Sequence, residues 1–429
     1  MKIAVIGSGI SGLTSAYLLH RDHEVTVFEK NDYIGGHTHT IPLEKDGVQY
    51  NVDTGFIVFN DRTYPYFRAM MREIGVQWRD TEMSFSVRDP RSGLEYNGHN
   101  FNTLFAQRKN FFKPSFYRLL GGIVKFNKAA KAANKPGANL DHVTLGEFLR
   151  QVNVSDDVAE FYLLPMVAAI WSASLTETEK FPLGFFLRFF ENHGLLNVTD
   201  RPQWHTIIGG SSAYIEPLTR GFADKIQLQT KISRIQRQAD EQQPVLIEFE
   251  DRAPERFDAV IFACHSDEAL ALLADPSADE TQVLGAIPYQ MNDVVLHTDA
   301  SLLPRNERAW ASWNYLLHHG ADAKTRPSSV TYNMNILQGI QGPHTFCVTL
   351  NNTDAIAEQE IIGRYAYAHP VYSVESMQAR AQRGEINGVN HTYFTGAYWY
   401  NGFHEDGVRS AVDVARMLGS DWGKEIDAA

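Results

Sequence analysis

The stretch KIAVIGSGISGLTSAYLLHRDHEVTVFEK, residues 2–30, decides the fold. Ile3 to Ile6 is a short β-branched run of the kind a buried parallel strand needs. Gly7-Ser8-Gly9-Ile10-Ser11-Gly12 follows at once, and Ile10, Leu13, Ala16, Tyr17 and Leu18 then recur at helical spacing. A second strand, Glu24 to Phe28, ends at Glu29. The pattern is G-x-G-x-x-G between a strand and a helix, with an acid about 20 residues after its first glycine. Each residue type has a physical reason. Gly7 permits the tight turn, Gly9 lets the backbone approach a pyrophosphate, and Gly12 lets the helix sit close to the sheet. The free N–H groups at the helix start face the phosphates. Glu29 is placed to accept hydrogen bonds from an adenosine ribose, and an acid there disfavours a 2′-phosphate, which makes NADP a poor candidate. A glycine-rich turn without a ligand would leave Glu29 as an accident.

Working outward, the chain has 429 residues, enough for two or three domains at about 150 residues each. Hydrophobic residues are 44% and charged residues 21%, ordinary globular usage that rules out disorder, collagen or coiled coil as a description of the whole. Cys264 and Cys347 are the two cysteines, so a disulfide scaffold is excluded. The net charge of -12 argues against nucleic acid as a partner. No apolar run approaches the ~20 residues of a membrane-spanning helix, and the start of the chain lacks an apolar leader with a cleavage site. These features read as a cytoplasmic protein. His37-x-His39 and His318-His319 lack a third ligand at recognisable spacing, so no metal site is expected.

Gly35-Gly36-His37-Thr38-His39-Thr40 comes next, then Asp53-Thr54-Gly55 with Phe56 and Ile57. Near the other end stand Tyr393-Phe394-Thr395-Gly396-Ala397 and Asn401-Gly402-Phe403-His404-Glu405-Asp406-Gly407-Val408, with a helix predicted from Val408 to Leu418. With these segments the sequence resembles the flavin amine oxidase superfamily, which includes amine oxidases, protoporphyrinogen oxidase, phytoene desaturases and flavin-dependent fatty-acid isomerases. Its pattern is a GG-Arg segment after the ribose acid, then D-x-G, then a C-terminal flavin segment. The whole-chain pattern is most similar to a bacterial branch associated with fatty-acyl modification. His37 stands where the family has Arg, so one cationic phosphate contact is missing. A middle piece is in the expected order: Ile208-Gly209-Gly210-Ser211, a strand from Lys225 to Ile235, then Val245 to Phe249 and Ala259 to Ala263.

The resemblance implies an α/β fold: an FAD-binding βαβ domain, Rossmann-like of the GR2 type, with a discontinuous mixed α+β substrate domain. The FAD domain is expected over residues 1–60, 204–265 and 390–429, and the substrate domain over 61–203 and 266–389. The resemblance assigns Gly7, Gly9, Ser11, Gly12, Glu29, Lys30, Gly35, Gly36, His37, Thr54, Gly55, Phe56, Ile232, Gly396, Gly402, Phe403, His404 and Val408 to FAD, held non-covalently. The helix near the end is expected to aim its N-terminus at the pyrimidine edge of the flavin. Tyr398 and Tyr400 are candidates for the aromatic rings that flank the flavin, and His404 is a candidate acid–base group or a hydrogen-bond donor to a flavin carbonyl.

Two features bear on the substrate. Family amine oxidases carry a Lys that holds a water against flavin N5. Here no Lys occurs from Ile232 to Ala323, and the equivalent position falls near Asn292 or Asp293. Between Tyr96 and Leu140 there is no Asp or Glu, while eight Lys or Arg residues are interleaved with Phe101, Phe105, Phe111, Phe112, Phe116, Tyr117 and Phe126. Such an insert suits an anionic membrane face or an acyl-chain head group, and it is equally a solvated helix pair with Phe in its core. Phe181-Pro182-Leu183-Gly184-Phe185-Phe186-Leu187-Arg188-Phe189-Phe190 is either a cavity lining or a buried helix. Hydride removal from an unsaturated or methylated fatty-acyl lipid, by a desaturase or dehydrogenase, is the first expectation. A redox-neutral fatty-acid isomerase, an amine oxidase and a non-catalytic flavin or lipid binder are the alternatives. The electron acceptor and oligomeric state are not encoded in any motif.

Overall fold

The computed structural model describes residues 1–135, 137–138, 140, 142–197, 200–237 and 242–427. The elements that position the site run in chain order as β1 (Lys2–Ile6), α1 (Ile10–Leu19), β2 (Glu24–Phe28), α2 (Pro65–Glu73), α3 (Pro114–Ala133), α4 (Leu164–Trp171), α5 (Leu183–Asn192), β3 (Ile226–Gln227), β4 (Ala259–Phe262), β5 (Tyr289–His297), β6 (Ile361–Pro370), β7 (Thr392–Phe394) and α6 (His404–Met417).

Five strands form one parallel sheet in the order β3-β2-β1-β4-β7. The sheet gathers strands from three distant parts of the chain. Its central strands are apolar throughout because both faces are covered, as parallel sheets require. One face packs against α1 and α6, with Ile3, Val5, Leu13, Ala16, Val25, Ile261, Val408 and Val412 in one cluster. The other face packs against the small antiparallel sheet of Ile232–Gln236, Val245–Phe249 and Glu255–Phe257, and against Phe394, Tyr398 and Trp399. A seven-stranded, mainly antiparallel sheet holds β5 and β6. A third block is aromatic: α3, α4 and α5 bury Phe126, Trp171, Phe181, Phe185, Phe186, Phe189 and Phe190 together.

Two sequence expectations are corrected. The strand predicted from Lys225 to Ile235 is two strands in two sheets. Between them Gln229 takes φ +52° and the chain wraps the end of β2, with Gln229 N–H donating to the Asn31 carbonyl at 2.9 Å and Thr230 N–H to the Glu29 carbonyl at 2.8 Å. The last helix begins at His404, a turn before Val408. That extra turn is capped by its own sequence, because the Asp406 carboxylate accepts the Phe403 N–H at 2.9 Å. The dense apolar run at Phe181 resolves as α5, a core helix.

Candidate functional site

The glycine turn forms a cleft rather than a filled corner. Gly7 adopts φ +106° and lies against the Ala263 carbonyl. A methyl group on Gly12 would run into the Gly7 carbonyl and Ala263 Cβ, so α1 seats directly on the sheet only with glycine there. A Cβ on Gly9 would meet nothing within 4 Å, so the backbone faces open space at the N-terminus of α1. Gly9 bridges Gly35 as an isolated β-bridge, and Gly36 at φ +59° approaches Gly9 Cα. The two glycine segments therefore form one rim.

The C-terminal glycine segment reaches the same place. A Cβ on Gly407 would lie 2.7 Å from Ile10 and 2.9 Å from Ser11 Oγ, so α6 crosses the start of α1 at its closest possible approach. Gly396 N–H donates to Ser410 Oγ at 2.9 Å, and Gly402, at φ +93°, turns the chain against Tyr372 into α6. Val408 is fully buried between α6 and α1.

At the ribose end, Glu29 is buried and its Oε2 accepts from Ser8 N–H at 2.9 Å and Ser8 Oγ at 2.7 Å. Its Oε1 accepts from Asn31 N–H at 2.8 Å. The carboxylate is thus fixed on the rim beside Gly9. Lys30 instead points outward in an ion pair with Glu268. Ile232 opens the antiparallel strand paired with Phe249.

A polar network joins the three blocks. Thr38 Oγ1 meets Tyr214 Oη at 2.5 Å and His404 Nε2 at 2.8 Å. Asp53 accepts from Ser211 N–H and Oγ, both at 2.9 Å, from Thr40 Oγ1 at 2.5 Å and from Gln338 Nε2 at 2.9 Å. Burial pushes the Asp53 carboxyl up to about 6, opposed by those donors. The sequence marks Asp53 by its D-x-G motif but gives no sign of Thr38, Tyr214, Ser211 or Gln338, whose partners lie up to hundreds of residues away.

His404 stacks face to face on Phe56 with ring centroids 3.5 Å apart. Burial pushes its imidazole down to about 3, so the ring is neutral near pH 7 and exchanges no proton there. The acid–base role considered for it therefore has no support in this geometry; a neutral hydrogen-bonding role does. Of the two tyrosines, Tyr400 donates its hydroxyl to Asp413 at 2.6 Å under the Arg409 guanidinium. Tyr398 is buried on the far side of the parallel sheet, beside Trp399. Neither is brought to the ring of His404.

His37 is buried, and among the described residues its Nε2 has no hydrogen-bond partner. Its ring lies 5.1 Å from Tyr367, 5.5 Å from His369 and 6.1 Å from His265. Desolvation, then the neighbouring histidines, hold it well below the usual imidazole range. No motif marks His265 or His369 as its neighbours. Tyr367 and His369 stand on the face of β6 turned to this rim, since Thr54 Oγ1 meets Tyr367 Oη at 2.8 Å. The register pairs Asn292 of β5 with Tyr367, which puts Asn292 on that same face. Asn292 is fully buried, its amide donating to the Gln290 and Tyr367 carbonyls and accepting from Asn351 Nδ2 at 2.9 Å. Phe403 opens toward the aromatic block: Phe189 stacks on it at 5.3 Å, and Trp171 lies 4.6 Å beyond Phe189.

Gly55 packs against the His37 carbonyl, closing the D-x-G turn onto the GG segment. Cys264 and Cys347 are free, and burial raises both thiols, so neither carries a reactive thiolate. Among the described residues no three His, Cys, Asp or Glu side chains are grouped to hold a metal ion.

The cleft fits an adenine dinucleotide: an open glycine backbone at a helix start, a fixed carboxylate on the rim, and a buried imidazole nitrogen still lacking a partner. Comparison with known proteins agrees. The model of the flavin-containing amine oxidoreductase family matches residues 10–348. The 4,4'-diapophytoene desaturase of Staphylococcus aureus is 42% identical over 62 residues, 14% of this chain and 12% of that one. The chain spans half or less of the length of the curated relatives it matches. The crystal structure of a CLA-producing fatty acid isomerase from P. acnes superposes with a TM-score of 0.69 at 16% identity, covering 97% of this chain and 98% of that one. Cyclohexylamine oxidase from Brevibacterium oxydans superposes with a TM-score of 0.68 at 16% identity, covering 97% and 99%. At that identity the two likenesses concern the fold.

Proposed function

The chain belongs to the flavin-containing amine oxidoreductase family, and from that premise we propose that it is an FAD-dependent oxidoreductase acting on an unsaturated or methylated fatty-acyl chain, as a desaturase or dehydrogenase. The observation that carries this is the aromatic cluster behind Phe403, where Phe189, Trp171, Phe185 and Tyr372 stack on one another and the Arg380 guanidinium lies 4.1 Å from the centre of the Tyr372 ring. Such a wall favours an apolar chain over an amine. The β5–β6 face supports it: the position where family amine oxidases carry lysine falls near Asn292 or Asp293, neither of which is a lysine, and the Asn292 amide N–H groups are already donated to backbone carbonyls.

FAD, when bound, supplies two-electron chemistry by taking hydride from a substrate C–H bond. The protein's part is positional. The N–H groups at the start of α1 would hold the diphosphate, Glu29 the adenosine ribose, and the Ile232 backbone the adenine. His37 would give a neutral hydrogen bond where a cation is usual. The N-terminus of α6, from Phe403 to Glu405, presents a positive dipole end that would favour negative charge on a group bound against it. Phe403 would orient the acyl chain, and the aromatic block would keep water out. Non-covalent binding is supported by the two free thiols, both raised by desolvation.

A second reading, a redox-neutral shift of a fatty-acid double bond, uses the same walls and shares its fold with the isomerase named above. Anaerobic incubation of the holoenzyme with unsaturated and methylated fatty acids separates the two. A desaturase bleaches one equivalent of flavin and stops without an acceptor, whereas an isomerase turns over repeatedly. Peroxide release from an amine panel, with no reaction on any fatty acid, would overturn both.

A further inference from the structure

We propose that α3 and the segment before it form a docking surface for an anionic lipid bilayer. Large rings project into solvent there: Phe112 is 89% exposed, Phe101 68% and Tyr117 50%, with Val124 at 58%. They are held rather than loose. Phe105 and Phe111 stack in parallel 4.2 Å apart, Phe101 leans on Phe105 at 4.9 Å, and the Tyr117 hydroxyl donates to the Phe111 carbonyl at 3.1 Å. Along α3, Tyr117, Gly121, Val124, Lys128 and Lys131 follow three- and four-residue steps and share one exposed stripe, flanked by Arg118 and Lys125. The opposite stripe, Phe116, Leu119, Phe126 and Ala130, is buried.

The charge on this face is uncompensated. None of the eight cations between Tyr96 and Leu140 pairs with a carboxylate among the described residues. Arg108 rests on the Asn102 and Phe105 carbonyls, Lys125 on the Asn153 carbonyl and Lys131 on Asn197. The acids Asp156 and Asp157 sit beside Val158, which packs under Gly122 on the flank that carries Arg118 and Lys125, and among the described residues neither acid forms an ion pair with those cations. In a chain of net charge -12, a rigid set of exposed aromatics ringed by free cations matches the apolar boundary and phosphate layer of an anionic membrane. No helix among the described residues is long and apolar enough to cross a bilayer, so the contact is peripheral. The proposal is independent of the lipid-substrate reading: vesicle binding can fail while fatty acids still turn over, and the reverse.

The test is co-sedimentation of the full-length holoenzyme with vesicles of phosphatidylcholine, alone or mixed with phosphatidylglycerol. Binding is expected only to the anionic vesicles and should fall with added salt. Lys113→Glu with Lys128→Glu should weaken it more than ~25-fold, at about fivefold per surface cation. Phe112→Ser should weaken it about tenfold or more, and Phe112→Trp should preserve it. Unchanged flavin content and circular dichroism confirm folding, which is expected since these side chains are exposed. Wild-type protein left in the supernatant at low salt overturns the proposal, as do charge-reversed variants that still bind. Self-association abolished by Phe112→Ser without any vesicle binding would assign the face to a second copy and overturn it too.

Discussion

The glycine cleft at α1 and the aromatic block of α3, α4 and α5 are both closely packed, but by different physical means. The cleft depends on backbone: Gly7 at φ +106°, Gly12 under the Gly7 carbonyl, Gly407 against Ile10 and Ser11. At Gly7 and Gly12 a side chain would meet backbone, and at Gly407 it would have to displace the side chains of Ile10 and Ser11. The block depends on volume: Phe126, Phe181, Phe186 and Phe190 are nearly or wholly inaccessible, yet an apolar side chain of similar size could serve at each. The cleft is therefore specified residue by residue, and the block only in aggregate. Their mutants should separate along that line.

The sharpest contrast is Gly12→Val. Its side chain would collide with Gly7 backbone, not with a movable side-chain tip, so α1 must lift from the sheet. The protein is expected to purify with no FAD, checked by the visible absorbance of the purified protein. Phe186→Ala should do the opposite. It leaves a cavity costing about 3–5 kcal/mol in chemical denaturation, while FAD stoichiometry stays at wild type. Equal FAD loss in both variants would break the comparison. A smaller effect belongs to Glu29→Gln, which keeps the shape but removes the charge that holds Ser8 N–H and would accept the ribose hydroxyls. Hydrogen bonds to charged groups are worth ~1.5–3 kcal/mol, so FAD affinity by fluorescence titration should fall roughly ten- to a hundredfold. An unchanged affinity would place the ribose elsewhere.

The same contrast explains what was legible in the sequence. The strand, turn, helix and acid from Lys2 to Glu29 could be read because local backbone demands leave glycine and an acid at fixed spacing. The missing lysine was legible too, and the register then placed Asn292 on the face shared with Tyr367 and His369. What escaped is whatever depends on closure over long distances. Thr38, Tyr214 and His404 meet through single hydrogen bonds, and Asp53 is tied to Ser211 and Gln338, with no periodicity to announce either knot. The run from Phe181 was ambiguous because apolar composition alone does not tell a core helix from a cavity wall. The early start of α6 was missed because its cap is Asp406, inside the glycine-rich segment.

The smallest predicted effect tests the neutral ring of His404, where cleft and block touch through Phe56 and Phe403. A histidine held near 3 in the folded protein, against an ordinary value near 6.5 when unfolded, binds its proton only on unfolding in between. The unfolded state then carries more protons, so this group stabilises the fold fully above about pH 6.5 and loses that contribution as the pH falls toward 3. Buried carboxylates act in the opposite sense: Asp53 and Asp406, pushed up to about 6, and Glu405, pushed up to about 8, lose stability as pH rises through those values. The net profile mixes both, which is why a difference measurement is needed. Comparing wild type with His404→Gln, whose amide can still bond Thr38, isolates the imidazole. Between pH 7 and pH 5.5 the wild type should lose about 1 kcal/mol more than the variant in urea denaturation of the holoenzyme. Parallel pH profiles would mean that His404 titrates normally, and with that the ring would regain the proton chemistry that its burial denies it.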